Sequence, residues 1–228
     1  MTLNRRDFST GLVGTACAAI ALTSAQAQPR GPIEGVNYVR LAQPAQVSVP
    51  GHIEVIEFFW YESPHCNAFE PALEAWSKRL PADVVLRRVP VWFSEVPFTA
   101  QQKLFYALES AGLLPTLHRR VFYAIHNDHA RLRNPDDIAA FVTKNGVDPA
   151  KFMPLYESFA VQTKAQQAKV LAAAYKIDAV PAMGVQGRYY TTGALANANG
   201  TANTPGGSNE RMLDVVDALI VRARQGTS

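Results

Sequence analysis

Cysteine is almost missing from this chain: its 228 residues hold two, Cys17 and Cys66. Two thiols allow at most one intramolecular disulfide, which excludes the cross-linked scaffolds that small secreted chains rely on. Charge is also scarce, at 18% of residues, and a net balance of +3 provides no dense basic surface for a nucleic acid. The stretch "GLVGTACAAIAL" (11–22) is shorter than the roughly 18 apolar residues that a spanning helix needs, and no other run is long enough. The sequence shows no phosphate-cradling loop, no dinucleotide fingerprint and no serine in a hydrolase elbow. What is present is a globular composition, 48% hydrophobic, long enough for one sizeable domain or a domain with a large insertion.

The N-terminus reads as a targeting segment. Arg5 and Arg6 precede Phe8, a weakly apolar stretch follows, and Ala25-Gln26-Ala27 fits a small-residue cleavage site. Residues 1–27 thus resemble a twin-arginine export signal. A lipid anchor on Cys17 fits less well, because Gly14 stands where a large aliphatic residue is expected. Cleavage takes away two cations and one anion, leaving a net charge of +2, and it removes Cys17. The exported chain then keeps Cys66 alone in a compartment where disulfides persist, and can form none within itself.

Past a loose lead-in, "VNYVRL" (36–41) is expected to be a short edge strand ended by Pro44. His52 to Tyr61 is nearly continuous in β-branched and aromatic residues, the pattern of a strand buried on both faces. From Pro64 to Leu80, Cys66, Phe69, Leu73 and Trp76 recur at spacings of three and four, which predicts an amphipathic helix kinked at Pro71. "DVVLRRVPV" (83–91) returns as a strand, and a strand–helix–strand order favours parallel pairing. Residues 98–175 then carry helical periodicity throughout, punctuated by Gly112, Asn134-Pro135, Gly146 and Asp148-Pro149. "AMGVQGRYYTT" (182–192) reads as a hairpin turning at Gln186-Gly187, residues 195–209 as a polar loop, and 209–225 as a closing helix. In the last helix Leu213, Val216, Ala218, Leu219 and Ile220 are expected to face the core.

The chemistry concentrates at "ESPHC" (62–66), where the first long strand gives way to the helix. Ser63 suits the N-cap and Pro64 the first helical position, which makes Cys66 the third. A cysteine on an apolar helix face serves either as a small buried hydrophobe or as a thiol. Glu57, in the middle of "VIEFFW", is costly to bury without partners, and burial should raise its pKa toward the range useful for proton transfer. His118, His126 and His129, with Asp128 between the last two, have no cysteine beside them, and no metal site is expected there.

Three stretches, "EFFWYESPHCNAFEP" (57–71), "FYAI" (122–125) and "VPAMGVQGRYY" (180–190), resemble the DsbA family of periplasmic thiol–disulfide oxidoreductases. The resemblance implies an α/β fold: a thioredoxin-like mixed sheet from residues 28–97 and 176–228, with an all-helical domain inserted at 98–175. One departure is central, because the family's motif reads Cys-Pro-His-Cys and the first position here is Ser63. In the family a nucleophilic thiolate occupies that position, stabilised by the helix N-terminus and by the residue matching His65. A serine hydroxyl forms no disulfide and is hardly ionised near neutral pH. Cys66 matches the resolving position, partly buried, and Glu57 the acid that exchanges its proton. Val180-Pro181 matches a cis-proline loop that faces the motif and pairs with an extended client, so Pro64, Val180 and Pro181 form the implied substrate-binding set. The implied partners are unfolded exported polypeptides and a membrane-bound, quinone-linked reoxidase, in the periplasm, with no cofactor beyond glutathione as an external thiol.

Two further readings stand beside this one. "SPHC" is similar to the Ser-Pro opening of kappa-class glutathione transferases and related isomerases, whose serine donates a hydrogen bond to bound glutathione. Alternatively, the chain binds clients without catalysis, as a chaperone-like module that keeps the groove around Pro181.

Overall fold

The structure, a computed structural model, describes residues 31–93, 99–198 and 207–226. The export signal expected at residues 1–27 lies outside the described residues. Strand β1 (Val39–Arg40) is followed by β2 (Ile53–Phe59), helix α1 (Pro64–Ser77) and β3 (Val84–Pro90). Five helices come next: α2 (Ala100–Ser110), α3 (Leu114–His126), α4 (Pro135–Lys144), α5 (Pro149–Tyr156) and α6 (Phe159–Ala174). The chain closes with β4 (Ala182–Val185), β5 (Tyr189–Thr192), a single turn α7 (Gly193–Ala196) and α8 (Gly207–Gln225).

The strands form one mixed sheet in the order β1-β5-β4-β2-β3. β2 runs parallel to β3 through the α1 crossover and antiparallel to β4, so it is an interior strand with both faces covered. All seven of its residues are buried, in line with its unbroken apolar character. On one face Ile53 and Val55 pack with Phe69, Leu73 and Trp76 of α1 and with Met212, Val216 and Leu219 of α8. On the other face Ile56 and Phe58 join Leu104, Phe105, Val121, Phe122, Phe141 and Ala165, contributed by helices α2 to α6. The alternation of β2 thus puts Ile53, Val55 and Glu57 on the α1 side, while Phe59 at the strand's end packs with Phe105 and Phe122.

Local signals stop and start the helices where the sequence suggests. Thr99 and Gln102 form a reciprocal capping box on α2, and Asn134, Asp148 and Ser158 each cap a following helix through their side chains. α1 runs on through Pro71. Proline has no N–H for the carbonyl of Asn67 one turn back, and Arg119 of α3 donates to that oxygen instead, at 3.5 Å. The expected edge strand shrinks to two residues. The expected polar loop at 195–209 is helical at its start, where Thr192 caps the α7 turn, and again from Gly207 onward. A four-residue turn is too short to carry periodicity, which is why sequence patterning passes over it. In α8 Ala218 is only half-buried, while Met212, Val215 and Ala223 join the core.

The β4–β5 turn shows how tightly the sheet is held. Gln186 and Gly187 both have positive φ, 52° and 62°, in the three-residue turn between the paired Val185 and Tyr189. Gly187 N–H donates to the Tyr175 hydroxyl at 2.9 Å, and a Cβ added at Gly187 would collide with the backbone carbonyl of Ala45. Gly187→Ala combines positive φ with a backbone clash, and should lower stability by about 2 kcal/mol or more. The midpoint of urea unfolding checks this value.

Candidate functional site

Ser63 ends the extended segment after β2 with φ −76° and ψ 118°, and its Oγ accepts the backbone N–H of Cys66 at 3.2 Å. The capping role expected of it is therefore filled, with Pro64 at the first helical position. Replacing such a cap by alanine typically costs about 1 kcal/mol. Pro64 and His65 are exposed on the first turn, whereas Ser63 is only 5% exposed. Cys66, expected to be partly buried, is fully enclosed at 0%. Its place on the inner face of α1 sets it among Phe58, Phe59, Tyr61 and the helices beyond. Burial pushes the Cys66 thiol up to about 12; the Ser63 side chain and the Trp60 backbone pull it down, and the nearby Glu57 and Glu70 push it further up.

Glu57 is fully buried, not turned out at an edge. The β2–β3 register sets it directly beside Arg88, on the face that α1 covers, and α1 brings Glu70 to the same place one turn beyond Cys66. Arg88 donates from Nη2 to Glu70 Oε2 at 3.3 Å. Its Nε comes within 3.1 Å of Glu57 Oε2, but the N–H is not aimed at the oxygen, so this is a charge contact and not a hydrogen bond. Neither carboxylate oxygen of Glu57 has a hydrogen-bond partner among the described residues. Burial first, and the Glu70 charge second, hold the Glu57 carboxyl well above the usual carboxylate range, with Arg88 opposing. Glu70 goes the other way. Burial acts to raise it, but the His118 hydrogen bond, together with the charge and hydrogen bond of Arg88, outweighs that and keeps it below its ordinary value. Two carboxylates beside one guanidinium thus divide into an anion, Glu70, and an acid that retains its proton, Glu57.

The helical block reaches this centre through α3. His118 Nε2 lies 3.0 Å from Glu70 Oε1, and its Nδ1 lies 2.8 Å from the Tyr61 hydroxyl. Burial, above all, depresses the His118 pKa and raises that of Tyr61, so the imidazole is neutral and the phenol keeps its proton. A carboxylate only accepts, so Nε2 carries the imidazole proton and Nδ1 accepts from Tyr61. Farther along α3, His126 Nε2 donates to the Tyr61 carbonyl at 2.8 Å. Glu62 is gripped by Arg133 at 2.9 Å through both oxygens and by Gln101 at 2.8 Å. The residues leading into the motif are therefore fixed by side chains from α2, α3 and the segment before α4.

Val180 and Pro181 precede β4, are joined by a cis bond, and are both partly exposed. Sequence reasoning singled out Glu57, Ser63, Cys66 and the Val180-Pro181 pair, but missed Glu70, Arg88 and His118 as site residues. Two signals were there to read. Glu70 falls on the same helical stripe as Cys66 and Leu73, and Arg87 and Arg88 break an otherwise apolar strand. His118, first weighed as a metal ligand, instead lies on the buried face of α3 with Leu117, Val121 and Phe122. No cluster of metal-binding side chains occurs among the described residues. A cavity of about 830 Å³ between residues 44–48, Arg87 and the outer face of α6 includes none of the motif residues in its lining.

Comparison with known proteins agrees with this fold. The DSBA-like thioredoxin domain matches residues 88–199. The thiol:disulfide interchange protein DsbA of Pseudomonas aeruginosa is 40% identical over 215 residues, covering 93% of this chain and 96% of the relative. That of Azotobacter vinelandii is 39% identical over 213 residues, covering 93% and 94%. Among solved structures, Pseudomonas aeruginosa DsbA superposes with a TM-score of 0.76 at 39% identity, covering 86% of this chain and 96% of its own. The oxidoreductase DsbA from Xylella fastidiosa gives 0.74 at 28% identity, covering 86% and 100%.

The raised Glu57 pKa has a definite consequence for stability. Between the ordinary carboxylate value and the raised native value, the unfolded chain has lost the Glu57 proton and the folded one has kept it. Stability attributable to this group therefore falls as pH rises through that window and levels off above it. Glu57→Gln should remove that decline, leaving the variant more stable than the parent near neutral pH and nearly equal to it in acid. Urea unfolding at a series of pH values measures both parts.

Proposed function

Because the chain belongs to the DsbA family of thiol:disulfide interchange proteins, we propose that it acts on thiols of exported polypeptides in the periplasm, with a single-sulfur site that cannot run a dithiol cycle by itself. Ser63 at the first motif position carries this reading. A dithiol oxidase takes two electrons from a client by opening its own disulfide, which needs two sulfurs within reach of each other. Cys66 is the one cysteine among the described residues, and it is buried beneath Ser63.

Exchange by one thiol then needs an outside disulfide, with glutathione as the natural carrier. The Cys66 thiolate attacks oxidised glutathione, forming the protein–glutathione disulfide and releasing one reduced glutathione. A client thiolate next attacks the glutathione sulfur, which leaves the client glutathionylated and returns the Cys66 thiolate. In this cycle Glu57, once it has given up its own proton, takes the proton when Cys66 ionises and returns it afterwards, while the partly exposed Val180-Pro181 edge offers a backbone on which an extended client can pair. A membrane-bound, quinone-linked reoxidase would have no protein disulfide to regenerate in this cycle. The complete enclosure of Cys66 favours a second reading, in which the chain holds clients at the Pro181 edge without covalent exchange. No observation favours the glutathione transferase alternative.

The test restores the missing sulfur. Ser63→Cys, exported or refolded as the mature chain, should gain the ability to oxidise a reduced unfolded client, where the parent shows none. If the variant gains no oxidase activity while folding normally, the assignment of this site fails.

A further inference from the structure

The described molecule contains one chain of buried polar groups that the thiol chemistry does not by itself require. It runs from Tyr61 through His118, Glu70 and Arg88 to Glu57 and draws on β2, β3, α1 and α3. Its geometry is uneven. Glu70 receives a donor on each oxygen, one from His118 and one from Arg88, while Glu57 receives none. The guanidinium of Arg88 lies close to both carboxylates, yet its hydrogen bond goes to Glu70.

We propose that His118 is a positioning residue for the acid beneath Cys66: by fixing Glu70 it keeps Arg88 turned toward Glu70, and so leaves Glu57 without a hydrogen-bond donor. Tyr61 completes the brace by donating to Nδ1, which orients the ring and leaves Nε2 as the nitrogen that donates to Glu70. The helical block thereby sets the protonation of a group on an interior strand of the sheet. This role deepens the reading of Glu57 as the proton partner of Cys66 and rests on it.

The charged and titratable groups facing Glu57 are Glu70 and Cys66 from α1, Arg88 from β3, and Tyr61 from the end of its own segment, with His118 from α3 acting through Glu70. Removing the His118 donor strips the Glu70 anion of one of its two partners and makes Glu70 easier to protonate. Arg88 is then released toward Glu57, and the like charge beside Glu57 weakens. Both changes favour the Glu57 anion, so its titration midpoint must fall. His118 is neutral, so its replacement by another neutral residue changes no charge and isolates the positioning effect.

The experiment follows the Glu57 side-chain carboxyl carbon by NMR across pH in the mature chain, without any thiol assay. His118→Phe should lower the Glu57 midpoint by about one pH unit or more, the size of effect that a hydrogen bond gained by the charged form and a weakened like charge produce together. His118→Gln, which can still present an N–H to Glu70, should restore most of the parental midpoint. An unchanged midpoint in folded His118→Phe overturns the proposal, as does a fall in His118→Gln equal to that in His118→Phe. If His118→Phe does not fold, His118→Asn, too short to reach Glu70, must show the same fall, and an unchanged midpoint there is equally fatal. The readout is a carboxyl titration, so it can succeed even if Cys66 proves inert toward disulfides. That separate failure, seen as no Cys66 adduct with oxidised glutathione, would count against the single-thiol reading alone.

Discussion

One guanidinium shared by two buried carboxylates organises the centre of this molecule. Arg88 reaches Glu57 because the parallel register of β2 and β3 makes them neighbours on one face, and it reaches Glu70 because α1 crosses over that same face. A lone buried carboxylate would be expelled or protonated, and two beside each other cannot both hold a charge at low cost. The structure resolves this by giving one of them all the donors. Glu70 is stabilised as an anion by Arg88 and by a histidine from the helical block, and Glu57 is left as an acid under the thiol-bearing helix. The arrangement explains why a carboxyl group persists in a fully buried strand of the sheet.

The start of α1 separates two roles that share one position. A small polar residue there can satisfy the helix terminus, and a thiolate there can attack disulfides with help from the same terminus. Ser63 performs the first: its oxygen accepts from Cys66, Pro64 begins the helix, and Tyr61 and Glu62 are clamped from the helical block. The second is absent along with the sulfur. Cys66 beneath Ser63 is held as an un-ionised thiol in an apolar setting.

How far the sequence reveals this depends on how local the controlling physics is. The buried strand β2, the amphipathic α1, the Ser63 cap and the Gln186-Gly187 hairpin are all set by residues near each other in the chain, and each is readable there. Glu57 is readable too, because a carboxylate amid phenylalanine and isoleucine is conspicuous. Its partners are not. Positions 57, 70, 88 and 118 come from four different elements, and only strand register and helix packing bring them together. The depth of Cys66 escapes for the same reason, since its enclosure depends on α3 and β2 as much as on α1. The short α7 turn escapes because four residues carry no period.

On the proposed reading the fold is intact and the dithiol cycle is broken at Ser63. Its most direct test incubates the mature chain with a reduced, unfolded two-cysteine client and oxidised glutathione, then reads client and protein by intact mass. The account predicts no disulfide within the client above the rate given by glutathione alone, and at most one glutathione on the protein, at Cys66. Catalytic formation of client disulfides by the unaltered chain would contradict it.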